Sequence, residues 1–325
     1  MLSPIVIDTI VYAGMLIILC VGFSLIHMIE KFPNFAHASY TLIGTIFTFS
    51  MVQLWGYNPY VFAPLSSVVG GALGITLYLL VVRPMKERGR GGIEITFAMF
   101  ALSFILSSLA NVYSFWVLKS QGYSAIGFLL RGHDFGFMDH PGILFVAPLV
   151  SVILVSSLHL LLTRTKFGIA IRASAEDPKL AVAMGINIFR VHLFSWFLAG
   201  AMSALAGALF PLWIPNRTPN SRASDALLIS VIAGSVVGGL DSVYGAIFGG
   251  LVVTLAERVL PGLLISYSGM WIAGYESLVP GILIVIMLMV EPRGISGILG
   301  EEHPRFNRLR RYLYRSSSDG QRSPL

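Results

Sequence analysis

Residues 5–27 read IVIDTIVYAGMLIILCVGFSLIH and contain a single charged side chain, that of Asp8. A helix of about 20 apolar residues spans the hydrocarbon core of a bilayer, so this run is long enough for one crossing. Similar stretches recur at 39–55, 61–82, 95–115, 143–162, 191–212 and 275–290. Two shorter pieces, 226–237 and 246–259, flank a glycine-rich interruption. The sequence therefore predicts an all-α polytopic membrane protein with about nine transmembrane helices, some of them short or broken.

The composition restricts the class of protein. Of the 325 residues, 55% are hydrophobic and 12% are charged, whereas soluble domains carry about 25% charged residues. This deficit excludes a soluble enzyme, a nucleic-acid-binding protein and a disordered chain. The single cysteine, Cys20, excludes an intramolecular disulfide. The histidines show no metal-ligand spacing, and the sequence has neither a phosphate-binding loop nor a nucleophile elbow. We therefore expect no catalysis, no metal ion and no cofactor in this chain.

Basic residues are distributed unevenly between the two sides of the predicted helices. Most of the 22 Lys and Arg residues fall at Lys31, at 83–90, at 163–190 and in the tail. Because basic loops stay in the cytoplasm, we expect a multi-pass plasma-membrane protein with its N-terminus outside and its C-terminus inside. The chain then divides as follows: a membrane domain, 1–290, with a cytoplasmic segment at 164–190, and a basic cytoplasmic tail, 291–325.

Carboxylates in mid-membrane would indicate an ion or proton pathway. Nearly all acidic residues in or beside the apolar stretches fall near a predicted helix end, and these candidates are Asp8, Glu94, Asp225, Asp241, Glu257 and Glu276. The pattern therefore favours a path lined by backbone and small residues over an ion relay.

Two interruptions of the apolar pattern are candidates for a substrate path. In the first, Pro33 ends one helix and Asn34 can cap the next. The second is the glycine-rich stretch 238–245. Unwound backbone at membrane depth survives only inside protein or beside a wet cavity, and transporters use it to contact substrates. The alternative is that both are tight turns at the membrane surface. The candidate path residues are Asn34, His37, Gly238, Gly239, Asp241 and Ser242.

Small residues recur at a spacing of four along several spans. Such residues let helices approach closely in lipid. The predicted packing positions are Gly200, Ala204, Gly207, Gly245 and Gly249. This pattern indicates a tight bundle, and it carries no information about a substrate.

The segment 164–190 is the third candidate region. We expect Ser174 to cap a short amphipathic helix that has Glu176, Asp177 and Pro178 near its start, where acidic side chains are favourable. Gly185, followed by Asn187, is typical of a helix stop. A rigid helix of this kind on the cytoplasmic face is an element that another protein could bind. The alternative is a surface helix without a partner.

Six motifs, in order, resemble one family. They are Asn34-Phe35-Ala36-His37; Arg83-Pro84; Leu102-Ser103-Phe104-Ile105-Leu106; Phe167-Gly168 with Arg172-Ala173, Asp177, Ala181 and Gly185-Ile186-Asn187; Leu198-Ala199-Gly200 with Leu205-Ala206-Gly207; and Gly238-Gly239-Leu240-x-Ser242-x-x-Gly245-Ala246. With these motifs the chain resembles the membrane-spanning permease subunits of branched-chain amino acid ABC importers, of the type with an Asn-Phe-Ala-His signature.

The resemblance implies that the helix within 172–187 is a coupling helix that docks on a cytoplasmic ATPase subunit. The coupling residues it implies are Arg172, Glu176, Asp177, Ala181 and Gly185. It also implies a second, homologous permease, two ATPase subunits that bind ATP, and an extracytoplasmic substrate-binding protein. ATP-driven closure of the ATPases would rock the helices between outward-open and inward-open states.

The sequence departs from the family pattern at the candidate path. Ala38 and Asp241 stand where the family usually has glycine, and Glu30 and Lys31 lie among residues that replace further glycines. Fold and coupling therefore carry over, whereas the substrate does not. Relatives are also associated with urea and short amides. The remaining alternatives are a stand-alone channel or secondary transporter and a membrane scaffold that transports nothing.

Overall fold

The computed structural model describes residues 3–123, 125, 128–213, 221–268 and 278–299. In chain order the helices are α1 (Pro4–Glu30), α2 (His37–Trp55), α3 (Pro59–Leu77), α4 (Arg83–Glu87), α5 (Gly92–Gln121), α6 (Ile143–Arg164), α7 (Lys166–Glu176), α8 (Pro178–Ala183), α9 (Ile188–Trp213), α10 (Ser221–Gly238), α11 (Val243–Ser268), α12 (Leu278–Val290) and α13 (Gly294–Leu299). A π-helical turn at Tyr78–Val82 joins α3 to α4. Strands β1 (Gly136–Phe137) and β2 (His140–Pro141) pair antiparallel between α5 and α6. Most of the predicted tail, 291–325, lies outside the described residues.

Among the residues that the structure describes, seven helical stretches are long and apolar enough to cross a membrane. They are Pro4–Glu30, Pro59–Glu87, Gly92–Gln121, Ile143–Arg164, Ile188–Trp213, Val243–Pro261 and Leu278–Gly297. The other two expected spans form α2, which is rich in hydroxyl side chains, and α10, whose apolar part is only Ala226–Gly238. The chain is thus an all-α polytopic membrane protein, and the expected count of about nine crossings stays a prediction.

Helix α1 is the most enclosed of the seven. In its most apolar stretch, 83% of the residues are buried inside the chain, against 11% for the stretch that contains α12. It packs against α6, α9, α10 and α11. In a bilayer, exposed apolar side chains such as those of α12 face lipid, so α1 forms the inner element and α12 a peripheral one.

Helices α2, α3 and α9 meet at glycines. A Cβ built on Gly70 of α3 would lie 2.5 Å from the Gly200 carbonyl oxygen of α9 and would overlap the Cβ of Ala204. Gly207 is in the same kind of contact with Thr41 of α2. Hydroxyl groups cross the same seam, where Thr41 Oγ1 lies 2.8 Å from Ser203 Oγ. Backbone therefore rests on backbone here, and side chains larger than these would force the helices apart.

Helix α11 is longer than the predicted piece 246–259, because it continues through Pro261 to Ser268. A proline inside a membrane helix is tolerated where neighbouring groups satisfy the freed backbone. The expectation that Glu257 lies near a helix end is therefore wrong, since this residue lies within α11. Gly245 and Gly249 of α11 are placed against the backbone of α10, at Gly238 and Gly234.

Candidate functional site

One end of the bundle collects the carboxyl end of α1, helix α4 and the pair α7–α8. We call it the basic end, because Lys31, Lys86, Arg164 and Lys166 lie there. The contact of Glu30, at the end of α1, with α4 and with the first turns of α9 brings these elements together. The basic end also contains most of the sequence-predicted site residues.

The predicted short helix within 172–187 is two helices, α7 and α8, and the break falls at Asp177. The residue before a proline avoids helical backbone angles, and Asp177 is extended, with φ −143° and ψ 99°. Its Oδ1 accepts hydrogen bonds from the backbone N–H groups of Lys179 (2.9 Å) and Leu180 (3.0 Å). The expectation that Ser174 caps this helix is wrong, because Ser174 is buried within α7.

The end of α8 is fixed by Gly185, which adopts φ +81°. Only glycine takes this left-handed angle without cost, which explains the residue at this position. Asn187 does not stop α8. Its Oδ1 accepts from the Arg190 N–H at 3.1 Å and so caps the start of α9. The connection from α8 to α9 is therefore short and hydrogen-bonded.

Helix α8 presents apolar side chains away from the chain. Leu180, Val182 and Met184 are exposed, the last by 73%. Ala181 is buried, so its side chain packs inward, whereas Arg172, Glu176, Asp177 and Gly185 are exposed. The exposed apolar trio was not singled out in the sequence analysis, although it lies on a charged segment between two membrane helices. We call Leu180, Val182 and Met184 the α8 trio.

The first interruption, at Asn34 and His37, is enclosed by the chain. Asn34 Oδ1 accepts from the Ala36 N–H at 3.1 Å and shapes the turn before α2. His37 is fully buried, and its Nε2 lies 3.1 Å from the Leu19 carbonyl oxygen of α1. Ser203 of α9 donates to the His37 carbonyl oxygen at 2.8 Å. These contacts fasten α2 to α1 and α9.

The second interruption is a tight turn between α10 and α11. Gly239 adopts φ +107°, and the carbonyl groups of Gly238 and Gly245 lie where a Cβ on the other glycine would stand. Ser242 Oγ accepts from the Gly245 N–H at 3.0 Å and so caps α11. Asp241 is exposed and pairs with Lys31 Nζ at 2.9 Å. The structure therefore brings Gly238, Gly239, Asp241 and Ser242 to the basic end, separate from the enclosed His37.

A buried carboxylate at the basic end was missed by the sequence analysis as a site residue. The Glu30 side chain is 1% exposed. Its carboxylate accepts from Trp196 Nε1 at 2.7 Å, lies 2.6 Å from His192 Nδ1 and forms an ion pair with Lys86. The available signal was its position, since Glu30 ends an apolar run while its partners on α9 stand four residues apart, on one helix face.

A second polar cluster lies within the bundle, far along α11. Glu257 accepts hydrogen bonds from the Tyr12 hydroxyl at 2.9 Å and from Ser230 Oγ at 2.5 Å. Arg258 lies 3.4 Å from Asp8 and 3.9 Å from the centre of the Tyr12 ring. Polar groups in lipid must find partners within the protein, and each of these side chains has at least one, although Arg258 Nε has none among the described residues. The cluster joins α1, α10 and α11.

Comparisons with known proteins point to one family over most of the chain. Residues 5–288 match the family model described as "Branched-chain amino acid transport system / permease component". The protein named "Probable branched-chain amino acid transport permease protein LivH", from Methanocaldococcus jannaschii, is 34% identical over 89% of this chain and 90% of its own. The high-affinity permease proteins BraD of Pseudomonas aeruginosa and LivH of Escherichia coli K12 are 26% and 24% identical, each over 86% of this chain and 91% and 90% of their own.

No solved structure matches the chain. The relatives and the family model nevertheless carry the name of the family that the six motifs resemble, and the apolar helices of the described residues are those of an integral membrane protein. The chain therefore belongs to the family of permease components of branched-chain amino acid transport systems.

Proposed function

We propose that this chain is the membrane-spanning permease subunit of an ABC-type importer that moves branched-chain amino acids across the plasma membrane. The N-terminus lies outside and the C-terminus in the cytoplasm, so the basic end faces the cytoplasm. Two ATPase subunits bind and hydrolyse ATP, a second homologous permease completes the path, and an extracytoplasmic binding protein delivers the substrate. This chain performs no chemistry of its own.

The observation that carries the proposal is the exposed α8 trio. Monomeric surfaces rarely expose a cluster of large apolar side chains unless a partner covers it. Leu180, Val182 and Met184 extend from a short capped helix on a charged loop, which is the position of an element that docks into a cytoplasmic protein. We assign Arg172, Glu176 and Gly185 to the rim of this contact, Asp177 to the cap that holds α8 in place, and Ala181 to its inward support.

The packing of α7 supports a mechanical role for this segment. The Phe167 ring contacts that of Phe194 on α9 with 4.6 Å between centroids. A Cβ on Gly168 would overlap the backbone of Leu161 and Leu162 on α6, so α7 lies directly on that helix. A displacement of α7–α8 by closing ATPase subunits is therefore passed to α6 and α9, and the helices reorganise around the path.

We propose a role in the substrate path for six residues. Asp241 is exposed in the turn before α11, whereas Asn34 and His37 are enclosed between α1, α2 and α9. We infer that Gly238, Gly239, Asp241 and Ser242 line the cytoplasmic mouth, and that Asn34 and His37 hold the helices whose movement opens it.

A substitution at the α8 trio tests the proposal. We expect Met184→Asp to abolish association with the ATPase subunits and ATP-driven uptake of leucine, while membrane insertion persists. Met138→Asp is the matched control, because Met138 is 75% exposed at the β1–β2 turn, away from α8. Uptake and association that survive Met184→Asp would refute the docking role. Uptake by vesicles that contain this chain alone would instead indicate a stand-alone channel.

A further inference from the structure

At the cytoplasmic end of α1, charged groups join the central helix to α4, to α9 and to the glycine-rich turn. Glu30 connects α1 to α9 and α4, and the next residue, Lys31, connects α1 to Asp241. The His27 ring, one turn earlier on α1, is 3.5 Å from the same Asp241 carboxylate. Two neighbouring residues thus bind elements that are far apart in the chain.

The path from α8 to Glu30 is short and rigid. After α8, the Gly185 N–H donates to the Val182 carbonyl at 2.9 Å, and the Ile186 N–H donates to that of Ala181 at 3.0 Å. The Asn187 cap then begins α9. The Glu30 partners on α9, His192 and Trp196, lie within the first turns after this cap. No flexible linker therefore separates α8 from the side chains that bind the Glu30 carboxylate.

The contacts of Glu30 hold the end of α1 against α9 and α4. Its carboxylate has two oxygens and three donor partners, and it is sealed from water. The Tyr78 ring, in the π-helical turn, stacks on His192 with 5.5 Å between centroids and 9° between planes. Charge-assisted hydrogen bonds in a buried site are among the stronger polar contacts, so α1 cannot slide past α9 without breaking them.

The glycine-rich turn that follows α10 is tightly packed. Gly239 lies against Arg293 and Ser296 at α13, and Gly294 lies against Gly238 and Gly239. A shift of α1, which packs against α10 and α11 and bears the Lys31–Asp241 pair, therefore moves the whole junction of α10, α11 and α13. This junction contains four of the proposed path residues.

We propose that Glu30 is the positioning residue that transmits movement of the α7–α8 segment to α1 and, through the packing of α1 on α10 and α11 beside the Lys31–Asp241 pair, to the turn at the mouth of the path. The inference rests on the proposed function of the chain as an ABC permease. Glu30 contacts neither substrate nor ATPase. Its role is to make the displacement of α9 a displacement of α1.

The test is Glu30→Gln in the complete complex, reconstituted in vesicles with the second permease, the ATPases and the binding protein. Glutamine keeps the shape and one acceptor, while Lys86, one-third exposed, can turn to water. The control is Glu87→Gln, which removes the same charge from an exposed pair with Arg83, also at the basic end. Leucine uptake and ATP hydrolysis are measured together. We expect Glu30→Gln to retain ATP hydrolysis while leucine moved per ATP falls at least about fivefold, and Glu87→Gln to match the wild type.

Two outcomes of this experiment would contradict the proposed role of Glu30, which we call the relay. An unchanged ratio of leucine to ATP in Glu30→Gln overturns it, and so does a parallel loss of uptake and hydrolysis, which would make Glu30 a structural contact only. If Glu30→Gln does not assemble, Trp196→Phe is judged by the same ratio. That variant removes one donor to Glu30 and leaves the Lys86 pair in place.

A second readout does not depend on the substrate. In a Cys20→Ala background, Leu240→Cys places one thiol beside Asp241, and its maleimide alkylation rate is compared with and without ATP. We expect nucleotide to change this rate in the otherwise unaltered chain and not in Glu30→Gln. A nucleotide-dependent change that persists in Glu30→Gln refutes the relay. A complex that moves no branched-chain amino acid would refute the proposed function instead, and the alkylation result would still decide the relay.

Discussion

Replacing Asp177 with alanine should weaken binding of the ATPase subunits about fivefold without disturbing the membrane helices. The Asp177 carboxylate accepts from two backbone N–H groups at the start of α8. Loss of such a cap costs about 1 kcal/mol, and about 1.4 kcal/mol corresponds to a tenfold change in an equilibrium constant. Because α8 has only six residues, it has few other bonds to compensate, and the α8 trio loses its fixed arrangement.

The measurement is the Kd of the ATPase subunit for the chain in lipid nanodiscs. Asp177→Asn is the matched control, since asparagine caps a helix about as well as aspartate while it removes the charge. We expect Asp177→Asn to bind like the wild type. Glu176→Ala, in an exposed residue that caps nothing, separates a direct ionic contact from the cap.

Two results would refute this reasoning. An unchanged Kd for Asp177→Ala would mean that the helix start does not limit docking. Equal weakening in Asp177→Asn and Asp177→Ala would assign the effect to the charge of Asp177, as a contact with the ATPase, and not to the cap.

Three further predictions concern packing, backbone and reactivity. Gly70→Leu should lower the free energy of unfolding in detergent by about 1–3 kcal/mol or more, because the α3–α9 seam has no room, while Gly281→Leu should be neutral, since a Cβ there meets open space; equal melting temperatures would contradict this. Gly185→Ala should weaken ATPase binding through backbone strain of about 1–2 kcal/mol, and Gly185→Asn should do so less, because asparagine tolerates the left-handed angle; equal binding by both variants would argue against strain. Cys20 is fully buried, so maleimide should add to it only after denaturation, as mass spectrometry would show; rapid labelling of the folded chain would exclude the enclosed position of α1.

The membrane helices could be predicted because lipid imposes one rule on each of them. Backbone groups within a bilayer must pair inside their own segment, so each apolar run forms one helix: the run 5–27 falls within α1 and the run 143–162 within α6. The same rule did not predict the end of α11. The predicted piece 246–259 stops short of Pro261, whereas α11 continues through this proline to Ser268.

The candidate site was less predictable, because its contacts are made between distant residues. In the sequence, Glu30 has the position of an ordinary charged residue at the membrane interface, because it lies at the end of a span. Its partners on α9 are more than 160 residues away along the chain. The helix break at Asp177 was within reach of sequence reasoning. The Asp-Pro pair combines a strong capping side chain with a residue that excludes helical angles before it, and these two local effects outweigh the serine at 174.

The enclosed position of α1 has a consequence for how the protein is made. Helix α1 leaves the ribosome before α9 and α11, which pack against it in the finished chain. The roughly 160 residues between α1 and α9 take about 8–30 s at about 5–20 residues per second. During that interval Glu30 has no α9 to bind, and the sides of α1 that later contact α9, α10 and α11 are without these partners. The native bundle is therefore completed late, when its C-terminal helices pack around a helix that was synthesised well before them.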